Sequence, residues 1–301
     1  MNGLLVIDKP AGITSHDVVA RVRRILKTRR VGHTGTLDPF ATGVMVILVG
    51  QATRLAQFLD KDEKEYEAVI RFGFETDTGD LTGVRNAESG MRNEEVATLL
   101  RSVDWNETFK VFSGEIEQMP PMFSAKKIDG KKLYEHARKG ETVDRAPIRV
   151  IIHGLDMIRS EISDLRSEIT IRVACSAGTY IRTLAQDIGR KIGIPAHLSE
   201  LRRTRAGKFT IEKSFTLEGL EQLDDASSAL LPMDEAVSHL PSVVLAEDRI
   251  EKTKNGLSTR MSDAAFENGD ALKMQDSAGN LIAIGYYDAA EKSVQPKVVL
   301  T

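Results

Sequence analysis

This sequence predicts an α+β protein with one large domain and one small one, and three observations support that prediction. Strand-like runs, such as VMVILV at residues 44–49 and YEAVIRFGF at 66–74, share the chain with segments of helical period. The two kinds do not alternate regularly, as they would around a parallel βαβ sheet. At 301 residues the chain also has room for a sizeable core and a second, smaller one.

Residues 4–7 (LLVI) read as a buried strand closed by the turn chemistry of KPAG. Thr14 or Ser15 then starts a helix in which Val18, Val19, Val22, Ile25 and Leu26 follow at helical spacing, leaving the basic residues mostly on the wet face. The run at 44–49 is almost unbroken in apolar character, the mark of a strand buried on both faces. Residues 66–74 alternate as a strand and end in the polar loop TDTGDLTG. Residues 93–105 read as helical. From 119 to 145 (MPPMFSAKKIDGKKLYEHARKGETVDR) a Pro-Pro break, dense lysines and a short helix around 133–138 suggest a mobile surface insertion. Strand patterning returns at 148–159 and 169–175. Thr179 is then expected to cap a helix with Leu184, Ile188 and Ile192 as its apolar row. A boundary is expected near 233–245, and ALKMQDSAGNLIAIGYYD beyond it reads as a hairpin about a Ser-Ala-Gly-Asn turn.

Charged residues (28%) and hydrophobic residues (41%) stand at ordinary globular levels, which argues against wholesale disorder. No apolar run approaches the roughly 20 residues that span a bilayer. Only four apolar residues in a row precede Asp8 and Lys9, so no signal peptide is expected and the expected location is cytoplasmic. Cys175 is the single cysteine, which excludes an internal disulfide and a multi-cysteine zinc site. Charge is segregated along the chain. The net is -3, the stretch from Asp234 onward has 11 acids against 7 bases (a local -4), and the preceding 233 residues therefore sum to about +1. Basic residues cluster at 21–30, 126–145 and 202–208, and nucleic-acid binding needs a basic face rather than a basic total.

The segment most suggestive of chemistry is GHTGTLDPFATG, residues 32–43. It sets one carboxylate, Asp38, in a loop rich in glycine and threonine, with His33 five residues upstream. It follows RVRRILKTRRV, residues 21–31, which has six Lys or Arg and no acid. A lone acid beside a cationic arm suggests a carboxylate brought to a polyanionic substrate. Asp-Pro is also common turn chemistry, and a phosphate cradle would need the Lys-Ser or Lys-Thr of a P-loop, which does not follow here.

At this point a resemblance becomes specific. GHTGTLDPFATGVMVILVGQATR resembles the catalytic motif of the TruB-type tRNA pseudouridine synthases, the tRNA pseudouridine-55 synthase family. LLVIDKPAGITSHDVV, KEYEAVIRFGFETDTGD, MPPMFSAKKIDGKKLYEHARKG, CSAGTYIRTLAQDIG and AHLSELRRTRAGKF resemble its other motifs in the same order, covering most of residues 1–210. The resemblance implies a catalytic domain over 1–235, built on a central mixed, mostly antiparallel sheet flanked by helices. An RNA-gripping insertion would occupy about 119–147, and a small, mainly-β, PUA-like domain 245–301.

By the same resemblance Asp38 matches the essential aspartate that attacks the target nucleotide, at ribose C1′ or at uracil C6. Arg182 matches the arginine that pairs with it. Tyr66 matches the tyrosine that stacks on the target base and is a candidate acceptor for the C5 proton. Tyr180 and Leu201 match residues lining the same pocket. His33 matches a histidine that enters the RNA loop in place of the flipped nucleotide, and Lys64 fits as a phosphate contact. Lys126, Lys127, Lys131 and Lys132 lie where family members close over the RNA stem-loop. The implied partner is the T stem-loop of tRNA, with base flipping, a monomeric enzyme and no metal or organic cofactor. Two other readings are a non-catalytic RNA-binding protein or tRNA-folding chaperone on the same scaffold, and a nucleotide-binding enzyme using the glycine-rich loop.

Overall fold

The chain is described by a computed structural model at every residue except 60, 61, 89, 125, 129, 164, 262–264 and 301, so Ala125 and Asp129 of the insertion lie outside the described residues. A nine-stranded sheet forms the centre. Its main path runs Gly3–Lys9, Thr42–Val49, Ala196–Ala206, Lys64–Phe72, Ser167–Cys175, Ile148–Ile162 and Gly114–Gln118. Val31–Thr34 and Phe209–Thr210 add to it at the sides. Neighbouring strands are antiparallel except where Arg202 and Arg203 run parallel to Thr42 and Gly43. A second sheet of five strands, in the order Ser242–Val244, Ala271–Gln275, Leu281–Asp288, Ser293–Val299 and Thr259–Arg260, follows toward the carboxyl end. The α+β expectation holds, and no described helix is long and apolar enough to cross a membrane.

The helix Ser15–Ile25 starts as its sequence suggests. Thr14 is the cap: its hydroxyl accepts from the Asp17 N–H, and the Asp17 carboxylate accepts from the Thr14 N–H in return. Val18, Val19 and Val22 of that helix pack on Leu5, Ile7, Met45, Ile47 and Val49. The alternate residues of the same two strands, Leu4, Val6, Val44, Val46 and Leu48, face the other way. They share a core with Leu281, Ile284 and Val298 of the second sheet and with Leu300 just after it. The unbroken apolar run at 44–49 therefore has a tertiary cause. A period of two would leave one face wet, but here a helix covers one face, and the short helical segments Gly50–Phe58 and Met233–Val237 together with residues of the second sheet cover the other.

Two expectations need correction. The residue before the helix Ile181–Ile192 is Tyr180, which makes no side-chain cap, whereas the Thr179 hydroxyl donates to the Ser176 carbonyl and closes a turn. The helical stretch expected at 93–105 is two helices, Asn93–Ser102 and Trp105–Val111. Asp104 breaks between them because its side chain caps the second by accepting from the Glu107 N–H.

Because the two sheets share one core, urea should unfold the chain in a single transition. Ile284→Ala should lower its stability by about 2–5 kcal/mol, the usual cost of truncating a buried isoleucine. A separate, earlier transition of the second sheet would contradict this arrangement.

Candidate active site

Three segments distant in sequence clamp the loop of residues 35–43. Lys9, at the end of the first strand, is fully buried, and its ammonium donates to the carbonyls of Pro10 (2.9 Å), Pro39 (3.2 Å) and Ala41 (2.7 Å). Ser15, the first residue of the helix, grips Leu37 twice. Its hydroxyl accepts from the Leu37 N–H at 2.9 Å and donates to the Leu37 carbonyl at 3.1 Å. Arg203 spans the base of the loop, with Nε donating to the Val44 carbonyl (2.6 Å) and Nη2 to the Gly35 carbonyl (2.9 Å). Gly43 has φ +104°, and a Cβ there would stand 2.1 Å from the Arg203 carbonyl oxygen, so no other residue fits without moving the strand.

Within this frame Asp38, Pro39, Phe40 and Ala41 form a turn closed by the Ala41 N–H donating to the Asp38 carbonyl at 3.1 Å. The turn uses the Asp38 backbone and leaves its carboxylate for Arg182. That arginine is the second residue of the helix Ile181–Ile192. Its Nε stands 3.0 Å from Asp38 Oδ2, and its Nη2 donates to Oδ1 at 3.4 Å, a two-pronged contact. The remaining donors are also engaged, Nη1 with the Thr78 carbonyl (2.8 Å) and Nη2 with the Phe123 carbonyl (2.7 Å). Asp80 Oδ2 lies 3.6 Å behind Nη1. Asp80 is itself held by the Thr78 hydroxyl and by the Thr82 hydroxyl and N–H. The helix start is placed from the sheet edge, since buried Gln118 accepts from the Tyr180 N–H and donates to the Tyr180 carbonyl.

Asp38, Tyr66, Lys64, Tyr180, Arg182 and Leu201 all line one cavity of about 290 Å³. Tyr66 forms a buried wall, on a strand where Arg203 and Val173 are its cross-strand neighbours. Lys64 lies deep in the site, donating to the Asp62 carbonyl at 2.5 Å. His33 is not among the lining residues. It stands on Val31–Thr34 with its ring 5.9 Å from that of His16, and its Nδ1 has no hydrogen-bond partner among the described residues.

The charges in the site work against one another. Burial raises the Asp38 carboxyl above its ordinary value and Asp80 pushes the same way, whereas Arg182 and then Lys9 pull it back down. Lys9 is pushed down to about 8, mainly by burial. Burial also raises the Tyr66 hydroxyl, so it is a neutral phenol at pH 7, and pushes His33 down to about 4, so its ring is neutral there. Nothing in the sequence alone singles out Lys9, Ser15, Asp80, Gln118 or Arg203: Lys9 and Ser15 read as turn and cap residues, Asp80 as part of a polar loop and Arg203 as part of a basic block. Nothing in local pattern distinguishes a buried lysine from a wet one.

A carboxylate two-pronged by arginine, beside an aromatic wall at the side of a cavity, is equipped for covalent chemistry on a flat, uncharged group such as a nucleobase. Known proteins narrow that class. Residues 23–181 match the N-terminal domain of the TruB family pseudouridylate synthases, and residues 182–238 match the C-terminal domain of tRNA pseudouridylate synthase B. A tRNA pseudouridine synthase B of Bacillus cereus is 43% identical over 263 residues, covering 85% of this chain and 84% of that one. Its counterpart in Bacillus pumilus is 40% identical over 94% of this chain and 92% of that one. The fold is also similar to a chain in an H/ACA ribonucleoprotein bound to a substrate RNA containing 2′-deoxyuridine, with TM-score 0.71 and 26% identity over 99% of this chain and 85% of that one. A Cbf5–Nop10–Gar1 complex contains a chain matching at TM-score 0.71 and 27% identity, over the same shares of each chain. This chain belongs to the TruB family of pseudouridylate synthases and is an isomerase of that type.

Lys9→Met keeps the length of the side chain but leaves two loop carbonyls and that of Pro10 without their donor. Isomerisation should slow about tenfold or more with RNA affinity within about twofold, as a displaced reacting group predicts. Single-turnover rates alongside filter binding would check it, and an unchanged rate would remove Lys9 from the loop's support.

Proposed function

We propose that this chain converts the uridine at position 55 in the T-loop of tRNA to pseudouridine, with Asp38 as nucleophile. The observation that carries the reading is the Asp38–Arg182 pair at the cavity wall. A carboxylate held by an arginine at a cavity wall is of little use to a protein that only binds a polyanion. The relatives named as tRNA pseudouridine synthase B support tRNA as substrate. The reaction breaks the bond between ribose C1′ and uracil N1, turns the uracil, and joins C1′ to C5. The C5 proton is lost and N1 gains one, so atoms balance without an electron acceptor. Asp38 supplies an anion to C1′ as it becomes electron-poor, or adds to C6; either role requires the ionised form.

Arg182 serves that form in two ways. It sets a guanidinium charge against the carboxylate, and its planar fork fixes the carboxylate's orientation. Tyr66 offers a flat face on which the flipped base stacks, and its neutral phenol suits a wall better than a resting base. Tyr180 and Leu201 close the sides of the pocket. Lys64 and the insertion lysines 126, 127, 131 and 132 supply positive charge toward the phosphates, and His33, neutral and partly buried outside the cavity, fills the space the flipped nucleotide leaves. Flipping costs a few kcal/mol, which phosphate contacts offset. The enzyme acts as a cytoplasmic monomer.

Tritium release from tRNA labelled at C5 of uridine tests this directly. Asp38→Asn and Asp38→Ala should each lose on the order of a thousandfold or more in rate while still binding tRNA. Sequencing of the product should place the change at position 55. No release by the intact, folded protein would overturn the reading.

Burial raises the Asp38 pKa, so the carboxylate takes up its proton at a higher pH than a free aspartate does. The acidic limb of the rate profile should therefore lie above the ordinary aspartate value. A limb at or below that value would show that Arg182 outweighs burial.

A further inference from the structure

Ser124 sits in the insertion, and its side chain is one of those lining the Asp38 cavity. It is 95% buried, since 5% of its surface remains exposed, yet its hydroxyl has no hydrogen-bond partner among the described residues. Its backbone is fixed, with the Ser124 carbonyl accepting from the Tyr134 N–H at 3.1 Å. The preceding carbonyl, that of Phe123, accepts from Arg182. The hydroxyl is thus carried on the same peptide segment that holds the arginine, and it is held at the cavity without a bond to make.

Several polar groups around Ser124 do have partners, and among the described residues that line the cavity Ser124 carries the buried hydroxyl without one. Arg182 is engaged by Asp38, Thr78 and Phe123, and Arg203 by Gly35 and Val44. The Thr179 hydroxyl donates to Ser176, and Lys64 to Asp62. A buried hydroxyl without a partner is costly, and native proteins rarely keep one unless something else satisfies it. A uracil removed from its stack has the matching need. Its two carbonyl oxygens lose their partners in the RNA and must find donors in the pocket.

We infer that the Ser124 hydroxyl donates a hydrogen bond to a carbonyl oxygen of the flipped uracil, making Ser124 a substrate-binding residue of the reaction proposed above. The insertion then does more than grip phosphates. It carries the base contact at Ser124 and the carbonyl support of Arg182 at Phe123 on adjacent residues, coupling recognition of the base to the orientation of the charged pair. Ser124→Ala removes only the hydroxyl, so it should leave the melting temperature unchanged or slightly raised, and tRNA affinity, dominated by phosphate contacts, unchanged. The single-turnover rate should fall roughly 3- to 10-fold, the scale of one neutral hydrogen bond.

The deciding measurement is a double-mutant cycle on T stem-loop RNA carrying uridine, 2-thiouridine or 4-thiouridine at the target position. Sulfur is a poorer acceptor than oxygen. At the carbonyl that Ser124 contacts, the sulfur substitution should slow the intact enzyme and cost Ser124→Ala nothing further. Losses that add at both carbonyls, or a Ser124→Ala rate equal to that of the intact enzyme on uridine, would overturn the inference and assign the hydroxyl to an ordered water. Failure of the intact protein on unmodified RNA would overturn the isomerase assignment at this uridine, and this inference with it, and is distinguishable from a failure confined to the variant.

Discussion

The charged pair between Asp38 and Arg182 is the constraint that the rest of the site answers to. A carboxylate with little access to water drifts toward its protonated form. Here burial and Asp80 both push Asp38 that way, and the guanidinium is the main force against them. A salt bridge in such a place is a weak source of stability, because desolvating two ions costs about as much as their attraction returns. Its retention makes sense as chemistry rather than as a brace. Arg182 in turn has every prong occupied, by two carbonyls and Asp38, with a second buried acid behind it. Its position leaves little freedom.

That pair needs a loop that does not move. The loop from 35 to 43 has almost no regular structure of its own and is held by side chains from the first strand, the first helix and the strand Ala196–Ala206. Each of these side chains bonds to backbone, so the loop's shape depends on where those carbonyls and amides sit rather than on its side chains. This leaves the loop's own residues free for function, which suits a segment so rich in glycine and threonine.

The second sheet contributes from behind. With the segments Gly50–Phe58 and Met233–Val237, it helps to bury Leu4, Val6, Val44, Val46 and Leu48 at the rear of the strands that carry Lys9 and the end of the loop. This unit also has a core of its own, built from Val243, Leu245, Leu272, Met274, Ile282, Ala283, Tyr287 and Val294, so only part of its apolar surface meets the central sheet.

Much of this was legible in residue order. Local spacing identified the first helix and narrowed its cap to Thr14 or Ser15, and it identified the doubly buried strand at 44–49 and the hairpin near the carboxyl end, because capping and periodicity are properties of neighbours in sequence. The motifs around Asp38, Tyr66 and Arg182 pointed to residues that do share a cavity, because each motif carries its own loop or helix start. What order alone did not reveal are Lys9, Ser15, Asp80, Gln118, Ser124 and Arg203, whose parts depend on atoms tens to more than a hundred residues away. Whether a lysine is wet or buried, and whether a hydroxyl has a partner, is decided only when distant strands come into register. Local composition settles which backbone shape a segment prefers, whereas burial and hydrogen-bond satisfaction belong to the packed whole.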